Sequence, residues 1–258
     1  MPVTKLKMRT FTFCACLLSC MAVSAQEQSA SADNGTDPTK FTTIAEGKYE
    51  YLDLNGSFSS ANLRLSYTQP FGAGRWNIRA RLPVAAVDVL GDSSYDIGDF
   101  SIELGHVFGL NRKGAFVAKG EMLFDTADRP ELGTGQNVFK GTLIYAKFLK
   151  DGSIFAPAIV QSNSLGGDNS RADVNFTTFD FYYVPKLSNP KNLITYDPAL
   201  NFDWENNKEF ASLAITFGRV LGPQLGGTGI LFLKPSIFAG GNRPGDWGIE
   251  VGYKVLAF

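Results

Sequence analysis

The last stretch of the chain alternates strictly. In residues 246–257, Trp247, Ile249, Val251, Tyr253, Val255 and Ala257 interleave with Gly248, Glu250, Gly252, Lys254 and Leu256. A period of two sends successive side chains to opposite faces of a strand, so this segment is a β-strand with one apolar and one mostly polar face. Residues 195–205 fit the same template: Tyr196, Pro198, Leu200, Phe202 and Trp204 face one way, and Thr195, Asp197, Ala199, Asn201, Asp203 and Glu205 the other. The pattern recurs, sometimes loosely, at 62–70, 75–84, 99–110, 116–126, 137–149, 154–163, 178–185, 209–220 and 230–239, with a weaker copy near 48–56. The total is about 12 strands, most close to the roughly 9–11 residues that a tilted strand needs to cross a bilayer.

Two environments could receive the apolar faces, lipid on the outside of a membrane barrel or a dry core inside a soluble sandwich or lipocalin-like cup. Aromatics near the strand ends, Trp76, Tyr67, Trp204 and Trp247, favour lipid, because interfacial girdles sit there. The opposite faces carry Arg79, Arg81, Lys119, Glu121, Asp203 and Lys234, which a dry core would not accept. The expected fold is therefore all-β, a transmembrane antiparallel β-barrel. Composition agrees: 27 Gly, 13% aromatics and only 4 Met suit a turn-rich β chain. A net charge of −1 gives no support for nucleic-acid binding.

Connector lengths supply a further check. With the C-terminus in the periplasm, residues 89–98, 127–136, 164–177 and 240–245 form outer loops, and the shorter 71–74, 111–114 and 151–153 form inner turns. The last third fits poorly. Residues 186–194 and 222–229 are long for inner turns and 206–208 short for an outer loop, which leaves room for a misplaced strand.

The amino terminus reads as a secretory signal spanning 1–25: Lys5, Lys7 and Arg9, an apolar stretch at 11–21, and a small-residue cleavage site Val23-Ser24-Ala25. Cys14, Cys16 and Cys20 all lie within it, which excludes disulfides and Cys-based metal sites from the mature chain. Leu17-Leu18-Ser19-Cys20 loosely resembles a lipoprotein box that would leave a lipid on Cys20, but Val23-Ser24-Ala25 is the better site. Residues 26–45 are polar and aperiodic, a disordered lead or a small lumen plug, and the barrel occupies 46–258.

The C-terminal third carries a resemblance. Residues 193–200 (LITYDPAL), Phe202-Asp203-Trp204, Phe217-Gly218-Arg219-Val220, Phe232-Leu233-Lys234-Pro235-Ser236 and Pro244-Gly245-Asp246-Trp247-Gly248 resemble the outer-membrane transporter-like family named for the meta pathway of phenol degradation. Leu132-Gly133-Thr134-Gly135 extends the likeness loosely into the middle. The resemblance implies an outer-membrane barrel suspected of taking up hydrophobic or aromatic compounds, and it carries over no catalytic or ligand-binding residue. One departure stands out. Barrel chains usually end on an aromatic in the lipid-facing phase, but Phe258 falls in phase with Leu256 and Lys254, so either a bulge near Leu256 restores the register or the signal is imperfect.

By phase, the candidate lumen residues are Arg64, Arg79, Arg81, Lys119, Glu121, Asp125, Asp197, Asn201, Asp203, Glu205, Lys234 and Glu250. Basic groups gather on early strands and acidic ones roughly opposite, which can orient polar solutes in a pore or simply pair and plug it. Lys234 and Glu250, on adjacent strands, read as such a pair. His106 falls in the lipid-facing phase, suited to headgroup contact and poorly placed to serve as the base of a lipid-modifying enzyme. The glycines of 128–135 lack the strand-to-helix context and the Lys of a phosphate loop and read as a flexible surface loop. Asp92, Asp96 and Asp99 lack EF-hand spacing for Ca²⁺. The sequence thus points to an outer-membrane channel or uptake protein for small molecules. The alternatives are a salt-bridged structural barrel displaying loops and a lipid-modifying enzyme. Its expected partners are outer-membrane lipids, the barrel assembly machinery and a small-molecule cargo; no cofactor, metal, catalytic residue or nucleic acid is expected.

Overall fold

The computed structural model describes residues 34–88, 95–129 and 132–258. The expected signal at 1–25, Cys20 included, lies outside them. Its strands are β1 (Ile44–Leu54), β2 (Phe58–Phe71), β3 (Trp76–Asp88), β4 (Asp96–Ile97), β5 (Ser101–Asn111), β6 (Gly114–Leu123), β7 (Gln136–Phe148), β8 (Ile154–Gly167), β9 (Asn175–Val184), β10 (Asn192–Asp203), β11 (Lys208–Gln224), β12 (Gly227–Ala239) and β13 (Gly245–Leu256). Twelve of them pair antiparallel in sequence order, and β1 closes on β13 from Ile44↔Leu256 to Leu54↔Gly245. β4 is a two-residue rung inside an outer loop, paired to Val84 and Ala85 of β3. Closure of β1 on β13 joins the two end strands, so among the described residues the barrel has no open seam.

The period-two pattern sets the faces. Leu63, Leu65, Leu104, Leu143, Phe217, Leu231 and Val251 all point out and are at least 38% exposed. Trp204 (58% exposed) and Trp247 (44%) also point out, so the soluble-cup alternative, with these faces inward, is overturned. The apolar exterior belongs in a bilayer. At midstrand, Leu63 lies opposite Tyr49. Leu63→Arg is expected to cost about 2–4 kcal/mol in urea unfolding from lipid, and Ser60→Arg, on the lumen side, much less. Equal costs would mean that the faces are inverted.

Aromatic girdles mark both rims. On the inner rim, rings run from Phe71 to Trp76 (6.2 Å), His106 (3.9 Å from Trp76), Phe108 (6.0 Å), Phe116 (5.6 Å) and Tyr145 (4.9 Å). On the outer rim, Tyr51 meets Trp247 at 5.5 Å and Phe202 meets Trp204 at 5.7 Å. The end that carries the C-terminus has the turns 72–75, 112–113, 149–153, 185–191 and 225–226. They are mostly shorter than the connectors opposite, which include 124–135, so this end faces the periplasm.

The last third needs no extra strand. β11 and β12 extend past a register shift at Val220/Gly222 and meet at Leu225-Gly226, where both residues have positive φ (49° and 84°). Left-handed conformation at both central positions makes a two-residue hairpin turn, so the span 222–229 that reads as a long loop is mostly strand. The terminal aromatic is placed by a backbone turn and not by the bulge considered for Leu256. Ala257 has φ of 54° and donates its N–H to the Thr43 carbonyl at 2.9 Å. Phe258 thereby swings to the exterior, its ring 6.3 Å from Tyr67.

Candidate functional site

The register stacks charged residues into a rung across four strands: Arg79↔Glu103 on β3 and β5, Glu103↔Glu121 on β5 and β6, and Glu121↔Lys140 on β6 and β7. All project into the lumen because each strand contributes the same phase. Arg81 bridges Glu103 at 2.8 Å and also bonds Glu121. Lys119 stands 3.7 Å from Glu103, Lys140 stands 3.6 Å from Glu121, and the Ser101 hydroxyl donates to Glu121 at 2.7 Å. Glu103 and Glu121 are almost fully buried, and each has two cations beside it, as buried carboxylates require.

Three connected regions follow. A cavity of about 500 Å³ is walled by Lys48, Arg64, Arg79, Arg81, Glu121 and Lys140 with other residues of β1 to β7. Across the lumen, about 270 Å³ is walled by Glu50, Asp180, Asp197, Asn201, Lys234 and Glu250. Towards the outer mouth lies a vestibule of about 520 Å³, and its walls include Leu123, Val138, Val160, Val174 and Phe176. Phe176, Phe210 and Phe238 sit in the lumen phase of β9, β11 and β12, with 6.3 Å between the first two rings and 6.2 Å between the last two, so apolar surface continues round the outer lumen.

The periplasmic end is filled. Residues 34–43 run into it: the Tyr182 hydroxyl donates to the Thr36 carbonyl at 3.3 Å and Lys254 Nζ to the Gly35 carbonyl at 3.4 Å. Phe41 packs on the buried cluster Val107, Ala115 and Val117, and Ile44 on the cluster Leu193, Ile230 and Leu256.

Most residues singled out from the sequence meet in these regions. Arg64, Arg79, Arg81 and Glu121 line the first cavity and Lys119 its buried flank. Asp197, Asn201, Lys234 and Glu250 line the second, and Asp203 the vestibule. Asp125 and Glu205 are instead exposed on outer connectors, because β6 ends at Leu123 and β10 at Asp203. The expected Lys234–Glu250 pair is corrected. Although they are register partners, Lys234 bonds Asp197 at 2.9 Å, and Glu250 takes Lys48 at 2.5 Å. Phase alone contained Lys48, Glu50, Glu103, Lys140 and Asp180, on the same faces as residues already singled out.

His106 lies outside the lumen, stacked on Trp76, with Nδ1 3.2 Å from the Arg75 carbonyl. The glycine loop is more than a flexible surface loop: Leu132, Gly133 and Thr134 line the first cavity. The Asp99 carboxylate holds it by accepting from the Thr134 N–H at 2.7 Å and from its hydroxyl at 3.0 Å, and Arg171 donates to the Gly133 carbonyl at 2.9 Å. Asp96 stands 3.8 Å from Arg129, and Asp92 lies outside the described residues. Among the described residues, no cluster of His, Cys, Asp and Glu could hold a metal ion.

No protein-family model and no curated protein sequence matches the chain. Solved structures do. The COG4313 outer membrane channel from Pseudomonas putida F1 superposes with a TM-score of 0.65 at 13% identity, covering 85% of this chain and 98% of its own. The KdgM porin gives 0.58 at 8% identity over 82% of this chain and 98% of its own, and the NanC porin 0.58 at 11% over 83% and 98%. All three are outer-membrane barrels, so the chain has the fold of an outer-membrane porin or channel.

Proposed function

We propose that this barrel is an uptake channel for small molecules with an apolar part, which enter from the outer face. The apolar-walled vestibule of about 520 Å³ carries this reading. Such a volume suits one small ligand. Its aliphatic and aromatic walls, set beside the cation-rich cavity, offer an apolar molecule a place to rest. The resemblance to the phenol meta-pathway family supports a hydrophobic or aromatic cargo, and the fold shared with porins supports passage through the barrel.

A second reading, a structural barrel closed by its own ion pairs, draws on the Arg81–Glu103–Glu121 cluster and on residues 34–43 filling the periplasmic end. Methyl-labelled barrel in nanodiscs, titrated with indole, tests the uptake reading. Indole should shift the methyls of Val138, Val160 and Val174 and leave those of the periplasmic floor, Val107 and Val117, in place. Shifts confined to lipid-facing methyls such as those of Leu63 and Leu104 would remove the vestibule's role.

A further inference from the structure

The apolar vestibule and the cation-rich cavity share a wall. Leu123, Thr134 and Lys140 line both, so a molecule seated in one reaches the other past the Lys140 ammonium. The first cavity is unbalanced: Lys48, Arg64, Arg79, Arg81 and Lys140 face it against Glu46, Asp99 and Glu121. The cations also differ in how fully they are engaged. Arg81 is held by two carboxylates, and Lys48 is bonded to Glu250 at 2.5 Å.

Arg79, in contrast, uses Nε on the Thr68 hydroxyl at 2.8 Å and forms no ion pair within 4.0 Å among the described residues. Arg64 reaches Glu50 only at 4.0 Å, and Lys140 reaches Glu121 only at 3.6 Å and is 37% exposed. Three cations with capacity to spare thus line the cavity that adjoins the apolar vestibule. A carboxylate there would gain charge-assisted hydrogen bonds without displacing an existing partner.

Building on the uptake reading, we infer that the cargo is an amphipathic anion. Its ring or alkyl part rests against Val138, Val160 and Phe176, and its carboxylate is taken by Lys140 and then by Arg79 and Arg64. A neutral analogue would occupy the vestibule without an anchor, and a bare anion would find cations but no apolar seat. The opposite wall, where Asp197 takes Lys234 and Glu250 takes Lys48, offers the same carboxylate no unengaged cation.

Binding to the folded full-length barrel in nanodiscs, by methyl shifts and calorimetry, is compared for benzoate, its neutral isostere benzamide, benzylammonium and acetate. Benzoate should bind at least several-fold more tightly than benzamide and acetate, and benzylammonium more weakly than either neutral or anionic ring. Lys140→Gln combined with Arg79→Gln should abolish the preference for benzoate over benzamide. If benzoate and benzamide bind the vestibule equally, the anionic class is wrong and the apolar seat stands. Should acetate match benzoate with no vestibule shift, the uptake reading for apolar cargo fails and only a general anion site remains. Equal binding of benzylammonium and benzoate would also overturn the inference.

Discussion

Deleting residues 34–41 should raise the single-channel conductance of the barrel several-fold. These residues lie where the lumen would otherwise open to the periplasm, and contacts to the wall hold them there: Tyr182 to Thr36, Lys254 to Gly35, and Phe41 on Val107, Ala115 and Val117. None belongs to a strand, since β1 begins at Ile44, so the closed ladder survives their loss. The apolar clusters they cover would become wet, and a modest loss of stability accompanies the gain in conductance. A milder version, Phe41→Ala with Tyr182→Phe, loosens the segment without removing it and should give a noisier, intermittently larger conductance. Conductance in planar bilayers reads both. No change on deletion would mean that the segment does not limit passage and that the narrowest point lies at the ionic rung.

Replacing Arg81 by Met should destabilise the barrel by about 3 kcal/mol, the low end of the range for removing one partner from a buried ionic group. Arg81 bonds two carboxylates, Glu103 and Glu121, which are 5% and 6% exposed. The remaining cations soften the loss. Lys119 stands 3.7 Å from Glu103 and Lys140 3.6 Å from Glu121, so neither carboxylate is left wholly unpaired. Adding Glu103→Gln to Arg81→Met should recover part of the stability, because it removes one of the two buried charges that lost Arg81. Urea unfolding from lipid vesicles, against the unaltered barrel, measures both. If Arg81→Met alone were neutral, the cluster would be well hydrated and the lumen wider than the ion pairs imply.

Much of this architecture is legible in the sequence because a strand's period of two is insensitive to distance. Whether Glu250 faces the lumen depends only on its phase against Trp247 and Val251, and the strand pattern of 195–205 fixes Asp197 in the same way. Partner choice is not legible. Lys234 and Glu250 are adjacent in register, but each turns to a different neighbour, because side chains on a curved wall reach across it as readily as along the ladder. Single backbone dihedrals escape pattern too: the positive φ at Ala257 sends Phe258 to the lipid side, and those at Leu225 and Gly226 turn an apparent loop into a hairpin. Residues 34–43 have no period to read, and their place is decided by tertiary contacts to Tyr182 and Val107 that no local rule anticipates. The inward fold of Leu132 to Thr134 depends likewise on Asp99 and Arg171, distant in sequence.

The most direct test of the channel itself is single-channel recording of the refolded barrel in a planar bilayer, with the benzoate series added on the outer side. A small, steady conductance, enlarged by loss of residues 34–41 and blocked by benzoate more strongly than by acetate, is the expected result. A silent bilayer from correctly folded protein, silent also after the deletion, would contradict it and leave a structural barrel closed by its own ion pairs.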